Sequence, residues 1–279
     1  MRLRIGGLCV SVEACPDRLP FIPGFAAFLA EGCKPDVRVV AAAGAMPGVG
    51  EWLHAFDIAE GRCHVRFGRA VGGGWVYALG SADWLYCPDS SDASFLLSAV
   101  ADLSVLRFAL WIAYGMAALR RGRVPVHSSV VVCDGRAVLC LGESGTGKST
   151  HTQLWLDTFP GTHLLNDDCP ILALEAGGVY AYGSPWSGKR PVFLPERHPV
   201  AAHLRLEQRP QNSIARLSTL PAIVALLPSC PPCLMHDEQL QGLLLDYVGQ
   251  VAGAAPVFRM GCLPDADAAR LSHDTIFAQ

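Results

Sequence analysis

Residues 142–150, GESGTGKST, are the stretch whose residue types and spacing point most directly to chemistry. Gly142, then Glu143, Ser144, Gly145 and Thr146, then Gly147, Lys148 and Ser149, with Thr150 behind them, fit the pattern of a loop that wraps phosphate. Glycine lets successive backbone N–H groups turn inward on anionic oxygens, and a helix starting at Lys148 would add its positive end. Lys148 would then neutralise β- and γ-phosphates, and the Ser149 hydroxyl would hold a metal. A nucleoside triphosphate with Mg²⁺ is the ligand this set predicts.

Phosphoryl transfer also needs a carboxylate for the metal and, for an alcohol acceptor, a base near its hydroxyl. THLLNDDCP supplies Asp167 and Asp168 at the end of an apolar run, where a strand would deliver them beside the loop. Neighbouring residues of a strand point to opposite sides, so one acid can face the metal and the other the hydroxyl, or both can share the metal. GSPWSGKR offers Lys189 and Arg190 for a phosphate or carboxylate and Trp186 for stacking, the alternative being a surface turn around a packed tryptophan. From Lys189 to Arg216 there are six Lys/Arg and two Glu, a local +4 that suits either an acidic acceptor or a solvated helix face.

The loop is preceded by VPVHSSVVVCDGRAVLCL, two apolar runs around Asp134-Gly135, a strong signal for a tight hairpin. CPILALEAGGVYAYGSP gives a second hairpin around Gly177-Gly178. The expected fold is therefore mixed α/β (α+β) with a hairpin-rich mixed sheet, rather than a wholly parallel one. Residues 1–90 read as a smaller strand-rich lobe with a short helix near Pro23 to Glu31, and 91–279 as the catalytic domain, the polar segment CPDSSDAS marking the boundary. The apolar stretch Ser94 to Leu119 reads as one long core helix capped by Asp92 or a neighbouring serine, with Arg120, Arg121 and Arg123 at its end. Further on, LPAIVALLP reads as a strand, DEQLQGLLLDYVGQVA as a helix, APVFRM as a strand and DADAARLSHDTI as a closing helix.

With 279 residues, 51% hydrophobic, the chain can build a substantial core. A formal charge of −3 gives no global attraction to nucleic acid or to an anionic membrane. Asp102 and Arg107 lie within the long apolar stretch, each costing about 2.5–3.5 kcal/mol at a bilayer centre, which favours a core helix over a membrane span. The start, MRLRIGGLCVSVEAC, has too short an apolar run for a secretory signal. On that basis the eleven cysteines read as reduced residues of a cytoplasmic protein. Cys230 and Cys233 have the spacing of a redox pair or half a zinc site, but with only His236 nearby they read as structural or incidental.

His127 in VHSSVVV, the loop GESGTGKST, the pair in NDD and the hairpin arrangement together resemble the HPr kinase/phosphorylase family and its small serine-kinase-type relatives. The core is similar to that of ATP-dependent phosphoenolpyruvate carboxykinase, and the likeness covers Val124 to Gly188 best. This resemblance implies Lys148 on the transferred phosphate, Ser149 and Asp168 on Mg²⁺, Asp167 or Asp168 as base, and His127 near the phosphate. The chain is much shorter than a carboxykinase, and it lacks the glycine-rich signature with which HPr kinases meet their protein partner. The expected activity is ATP- and Mg²⁺-dependent transfer of the γ-phosphoryl group to a hydroxyl, on a serine of a peptide or small protein, as in peptide tailoring, or on a small-molecule alcohol. The alternatives are a nucleotide-binding sensor or assembly protein without transfer, and an ATP hydrolase driving a partner. A homo-oligomer is compatible with either.

Overall fold

The structure is a computed structural model that describes residues 1–90 and 94–278. Two sheets account for the strands. The first holds β1 (Arg2–Ile5), β2 (Leu8–Val12), β3 (Val37–Ala41), β4 (Val49–Ile58), β5 (Cys63–Ala70), β6 (Trp75–Leu79), β7 (Asp83–Cys87) and β8 (Phe95–Leu97), in the order β1-β2-β3-β8-β7-β6-β5-β4. Helix α1 (Leu103–Leu119) then leads to the second sheet.

That sheet holds β9 (Arg123–Pro125), β10 (Ser128–Cys133), β11 (Arg136–Leu141), β12 (His163–Asp168), β13 (Ile171–Glu175), β14 (Gly178–Tyr182), β15 (Arg197–Gln208), β16 (Ser213–Arg216) and β17 (Val257–Cys262). Its main path runs β12-β10-β11-β15-β14-β13-β9, with β17 joining β15 and β16. Four helices complete the chain: α2 (Lys148–Thr158) follows the glycine loop, α3 (Thr219–Leu226) and α4 (Glu238–Ala254) follow β16, and α5 (Ala266–Phe277) closes it. None is long and apolar enough to cross a membrane among the described residues.

The sequence of β10 and β11 explains why they lie at the centre. SSVVVC is buried throughout, and its alternate side chains feed two different cores. Val130 and Val132, with Ala137, Leu139 and Leu141 of β11, pack into a large core that also takes α1 and the inner face of the first sheet. Val131, Cys133, Val138 and Cys140 face the other way, onto a smaller core with Trp155 of α2 and Ala268 and Ala269 of α5. A strand covered on both faces needs a continuous apolar run, and both have one. The turn between them takes Asp134 at φ 48° and Gly135 at φ 71°, the paired left-handed conformations of a two-residue hairpin. β10 pairs antiparallel with β11, whereas β11 pairs parallel with β15, so the sheet is mixed.

Registers bring the chemistry to one end of this sheet. Ser128 lies opposite both Leu141, from which the glycine loop departs, and Asp168, the last residue of β12. His127 directly precedes Ser128. At the opposite end, the β10–β11 turn lies near His163, the first residue of β12, which pairs with Val132.

Several expectations are corrected. Ser94 to Leu119 is not one helix: Phe95–Leu97 form a strand, and α1 starts at Leu103 with Asp102 as its cap, Oδ1 accepting from the amides of Ser104 at 2.8 Å and Val105 at 3.0 Å. Periodicity cannot separate a buried strand from a buried helix within one apolar run. Asp92, the expected cap, lies outside the described residues. LPAIVALLP is helical over Thr219–Leu226, where Pro221 sits in the first turn and forfeits no helix hydrogen bond. The region near Pro23 to Glu31 has one short 3₁₀ turn, Phe25–Phe28. Cys9 and Cys33 form a disulfide, which overturns the reading of all eleven cysteines as reduced; the fold brings the loop before β3 to within 6.2 Å of β2, Cα to Cα. The other nine are thiols, and Cys230 and Cys233 are buried ones.

Candidate functional site

The glycine loop is held open by its own backbone and by β15. Gly142 has φ 154°, and a Cβ there would lie 2.3 Å from Thr146 Oγ1, so a side chain fits neither the conformation nor the space. Thr146 Oγ1 donates to the Glu143 carbonyl at 2.8 Å, Arg205 of β15 pairs with Glu143 at 2.6 Å, and Gln208 donates to the Gly145 carbonyl at 3.1 Å. Gly147, at φ 99°, opens α2 without a side-chain cap. The amides of the first turn of that helix are therefore left to an external acceptor.

Lys148 is buried and folds back over the loop, its Nζ donating to the carbonyls of Gly142 at 2.8 Å and Glu143 at 3.1 Å. Burial lowers its pKa, against the opposing charges of Asp168 and Glu143. The same Nζ lies 2.9 Å from His127 Nε2, and His127 Nδ1 lies 3.1 Å from Asp168 Oδ1. An ammonium has no lone pair to offer, so Nε2 must accept and the ring proton sits on Nδ1, aimed at Asp168. Lys148, His127 and Asp168 thus form one hydrogen-bonded chain.

Asp167 faces a different set. Its carboxylate takes two hydrogen bonds from Arg190, at 2.8 and 3.0 Å, and one from the Ser149 hydroxyl at 3.1 Å. Burial raises its pKa, but the hydrogen bonds of Arg190, Ser129 and Ser149 outweigh this and hold it below the usual carboxylate value. Arg190 is itself fixed by Thr152 Oγ1 at 2.7 Å and Ser129 Oγ at 3.1 Å. Asp168 has φ 140°, a conformation rare for any residue with a side chain, and bridges to Ser187. Gly188 makes this contact possible: a Cβ there would come within 2.9 Å of Asp168 Cβ and 3.0 Å of the Asp167 carbonyl.

Two cavities meet at His127 and Asp168. One, about 330 Å³, is bounded by the loop, Lys148, Ser149, both aspartates and His127. The other, about 480 Å³, has aromatic walls from Phe108, Trp111 and Trp186, with Arg107, and also reaches His127 and Asp168. Asp167 borders only the first. Within the second, Arg107 keeps Nε buried without a hydrogen-bond partner while its Nη2 donates to the Ser187 carbonyl at 3.0 Å. The Ser229 hydroxyl, also in that wall, is buried and unpartnered. A third cavity, about 410 Å³, lies on the outer side of the loop between Gly145, Leu154 and Arg209.

His127, Lys148, Ser149, Asp167 and Asp168 are thus brought together, as are Gly142 to Thr150 around them. Ser149 and Asp168, expected as the metal pair, are not partners: the hydroxyl donates to Asp167, because Asp168 is turned by its backbone towards His127. Arg190, expected to face an acceptor, is bound to Asp167. Trp186 is buried, its Nε1 donating to the Arg107 carbonyl at 3.3 Å and its ring tilted on Tyr114, and it lines the second cavity and not the one at the glycine loop. Lys189 is exposed at the mouth of the first cavity. The basic strip that follows is strand rather than helix face, and Arg197, Arg205 and Arg209 in it pair with Glu175, Glu143 and Glu207. Arg107, Ser229 and Gly188 are site residues to which local spacing assigns no role. Arg107 had a signal, a charge inside an apolar helix; Ser229 had none.

No protein-family profile matches the chain, and no curated protein matches it in sequence. Among solved structures, the Hpr(Ser) kinase/phosphatase from Coxiella burnetii is similar over 55% of this chain and 93% of that one, at 14% identity and a TM-score of 0.33.

Proposed function

We propose that this chain is an ATP-dependent phosphotransferase that passes the γ-phosphoryl group to an alcohol. The observation that carries the reading is the shared wall: one cavity offers amides and an ammonium for phosphates, the other offers an apolar chamber, and His127 and Asp168 border both.

The loop amides and the start of α2 would receive the phosphate oxygens, and Lys148 would exchange the carbonyls of Gly142 and Glu143 for the β- and γ-phosphates. The third cavity, beside the loop, has room for the nucleoside. Ser149 and Asp167 set a hydroxyl and a carboxylate side by side, hard oxygen donors that fit Mg²⁺. When bound there, Mg²⁺ would supply charge to offset that of the phosphates. Arg190 keeps Asp167 ionised and fixed in place, which suits a ligand and disfavours a base.

Asp168 is the base in this reading. Its Oδ1 is occupied by His127 Nδ1–H, which leaves Oδ2 to take the alcohol proton. The acceptor oxygen bonds to the γ-phosphorus as the bond from that phosphorus to the β,γ-bridging oxygen breaks, and ADP leaves. Aromatic walls and the Arg107 cation among them suit an alcohol on an apolar or aromatic body that also carries an anionic oxygen. A serine within a short peptide segment and a small-molecule alcohol both meet this description.

The test is to incubate the purified chain with γ-labelled ATP and Mg²⁺ against serine peptides and small alcohols, locating the label by mass spectrometry. Label in a phosphoester on an acceptor hydroxyl is expected. Label found solely as inorganic phosphate, whatever acceptor is added, would count for the hydrolase reading instead.

A further inference from the structure

At the other end of β12 from the two aspartates, three side chains from two separate parts of the chain converge. His163 Nε2 lies 2.9 Å and His198 Nε2 3.0 Å from the same oxygen, Oε2 of Glu196. All the potential ligand atoms of this group lie within 4.8 Å of one another. His163 starts β12, Glu196 immediately precedes β15 and His198 lies in it, so the sheet places together residues that are far apart in the sequence.

The hydrogen bonding of this group does not close with protons alone when the rings are neutral. His198 Nδ1 lies 3.2 Å from the Gly135 carbonyl, which can only accept, so the single proton of a neutral His198 belongs on Nδ1. Its Nε2 then turns a lone pair towards a carboxylate oxygen, acceptor facing acceptor. A divalent cation between them removes the conflict, and an imidazole oriented by a backbone carbonyl through its far nitrogen is how proteins present a metal-binding histidine. Four-coordinate zinc with bonds of about 2.0–2.2 Å sets neighbouring ligands about 3.4 Å apart, so the observed contacts need open only slightly. The histidine and glutamate side chains are 41% and 42% exposed for His163 and Glu196 and 19% for His198, leaving room for water in the remaining positions.

We infer that His163, Glu196 and His198 form a binding site for a divalent transition metal of the zinc class. Two imidazoles and one carboxylate suit such an ion better than Mg²⁺ or Ca²⁺, which prefer oxygen alone. β12 pairs with β10 at one edge of its sheet, and the ion would tie its first residue to β15 across the β10–β11 turn. Four residues of strand lie between His163 and Asp168, a span of roughly 17 Å, so the ion would clamp the strand that presents the acids without taking part in transfer.

The full chain, stripped with chelator, should take up one equivalent of Zn²⁺ in a calorimetric titration and gain melting temperature on doing so. Glu196→Gln, which keeps size and shape, and His198→Ala should each weaken binding at least tenfold, and the variant lacking both histidines should bind none at this stoichiometry. Cys230→Ser with Cys233→Ser should bind as the parent does. With Co²⁺ in place of Zn²⁺, the spectrum should lack thiolate-to-metal charge transfer. Binding unchanged in Glu196→Gln and His198→Ala, a thiolate band, or no saturable uptake by the parent would each overturn the site.

Discussion

The proton on His127 Nδ1 makes a prediction at the level of single residues. Asp168→Asn keeps the side chain's size but cannot accept the alcohol proton, so transfer should fall about 10²–10⁴-fold while ATP binding stays within a few-fold of the parent, measured by single-turnover transfer beside equilibrium titration. Equal loss of both would remove Asp168 from the role of base. Arg190→Met tests the neighbouring acid: it leaves the Asp167 carboxylate, 6% exposed as a side chain, without its cation, which should cost about 3–5 kcal/mol in denaturant unfolding. The identities of these residues were legible in the sequence, because the loop is a local pattern and the Asp-Asp pair ends a recognisable strand. Their partners were not. That Arg190 holds Asp167, and that Ser149 turns to Asp167 instead of Asp168, depends on a bridge between β12 and the Gly183 to Arg190 segment, a contact that no local spacing encodes.

Among the elements, the segment from Gly183 to Arg190 is the one on which the acid pair depends. Gly188→Ala would press a methyl group against Asp168 Cβ and the Asp167 carbonyl, and the backbone must move to admit it. A shift near 1 Å at a reacting group can cost roughly 100-fold; the expected result is a drop in kcat of about tenfold or more with the melting temperature little changed. Retention of full activity would show that this contact does not position the acids. Elements with a single strong local cue were readable: the Asp134-Gly135 hairpin, the helix after the loop, α4 and α5 all follow from turn chemistry or helical spacing. Where a run is apolar throughout, as in Ser94 to Leu119 and LPAIVALLP, burial on all sides erases the period that would tell strand from helix. β4 carries a weak signal for the opposite reason, since none of its side chains is fully buried and the alternation is broken in its first half.

Over the molecule as a whole, two buried histidines set the response to acid. His203 is enclosed with neither ring nitrogen hydrogen-bonded, and burial pushes its pKa down to about 4; His151, on the buried face of α2, is likewise pushed down to about 4. Each is neutral when folded and takes up a proton more readily when unfolded, so stability is complete above about pH 6.5 and is lost as pH falls towards 4, on the order of 3 kcal/mol per residue. Urea unfolding across that range should show the decline, and His203→Leu should flatten part of it; a parallel decline in the variant would refute the assignment. At this scale the sequence disclosed the mixed class and little of the arrangement. The Cys9–Cys33 disulfide, the strand order and the core shared by α1 and both sheets arise from long-range pairing. The union of two cavities at His127 and Asp168 is a property of the same kind, and it is the central claim. A crystal structure with Mg²⁺ and a non-hydrolysable ATP analogue tests it most directly. The γ-phosphate should lie against Lys148 and the amides of the glycine loop, with Asp168 between it and the aromatic chamber. A nucleotide seated elsewhere, or a γ-phosphate turned away from Asp168, would contradict it.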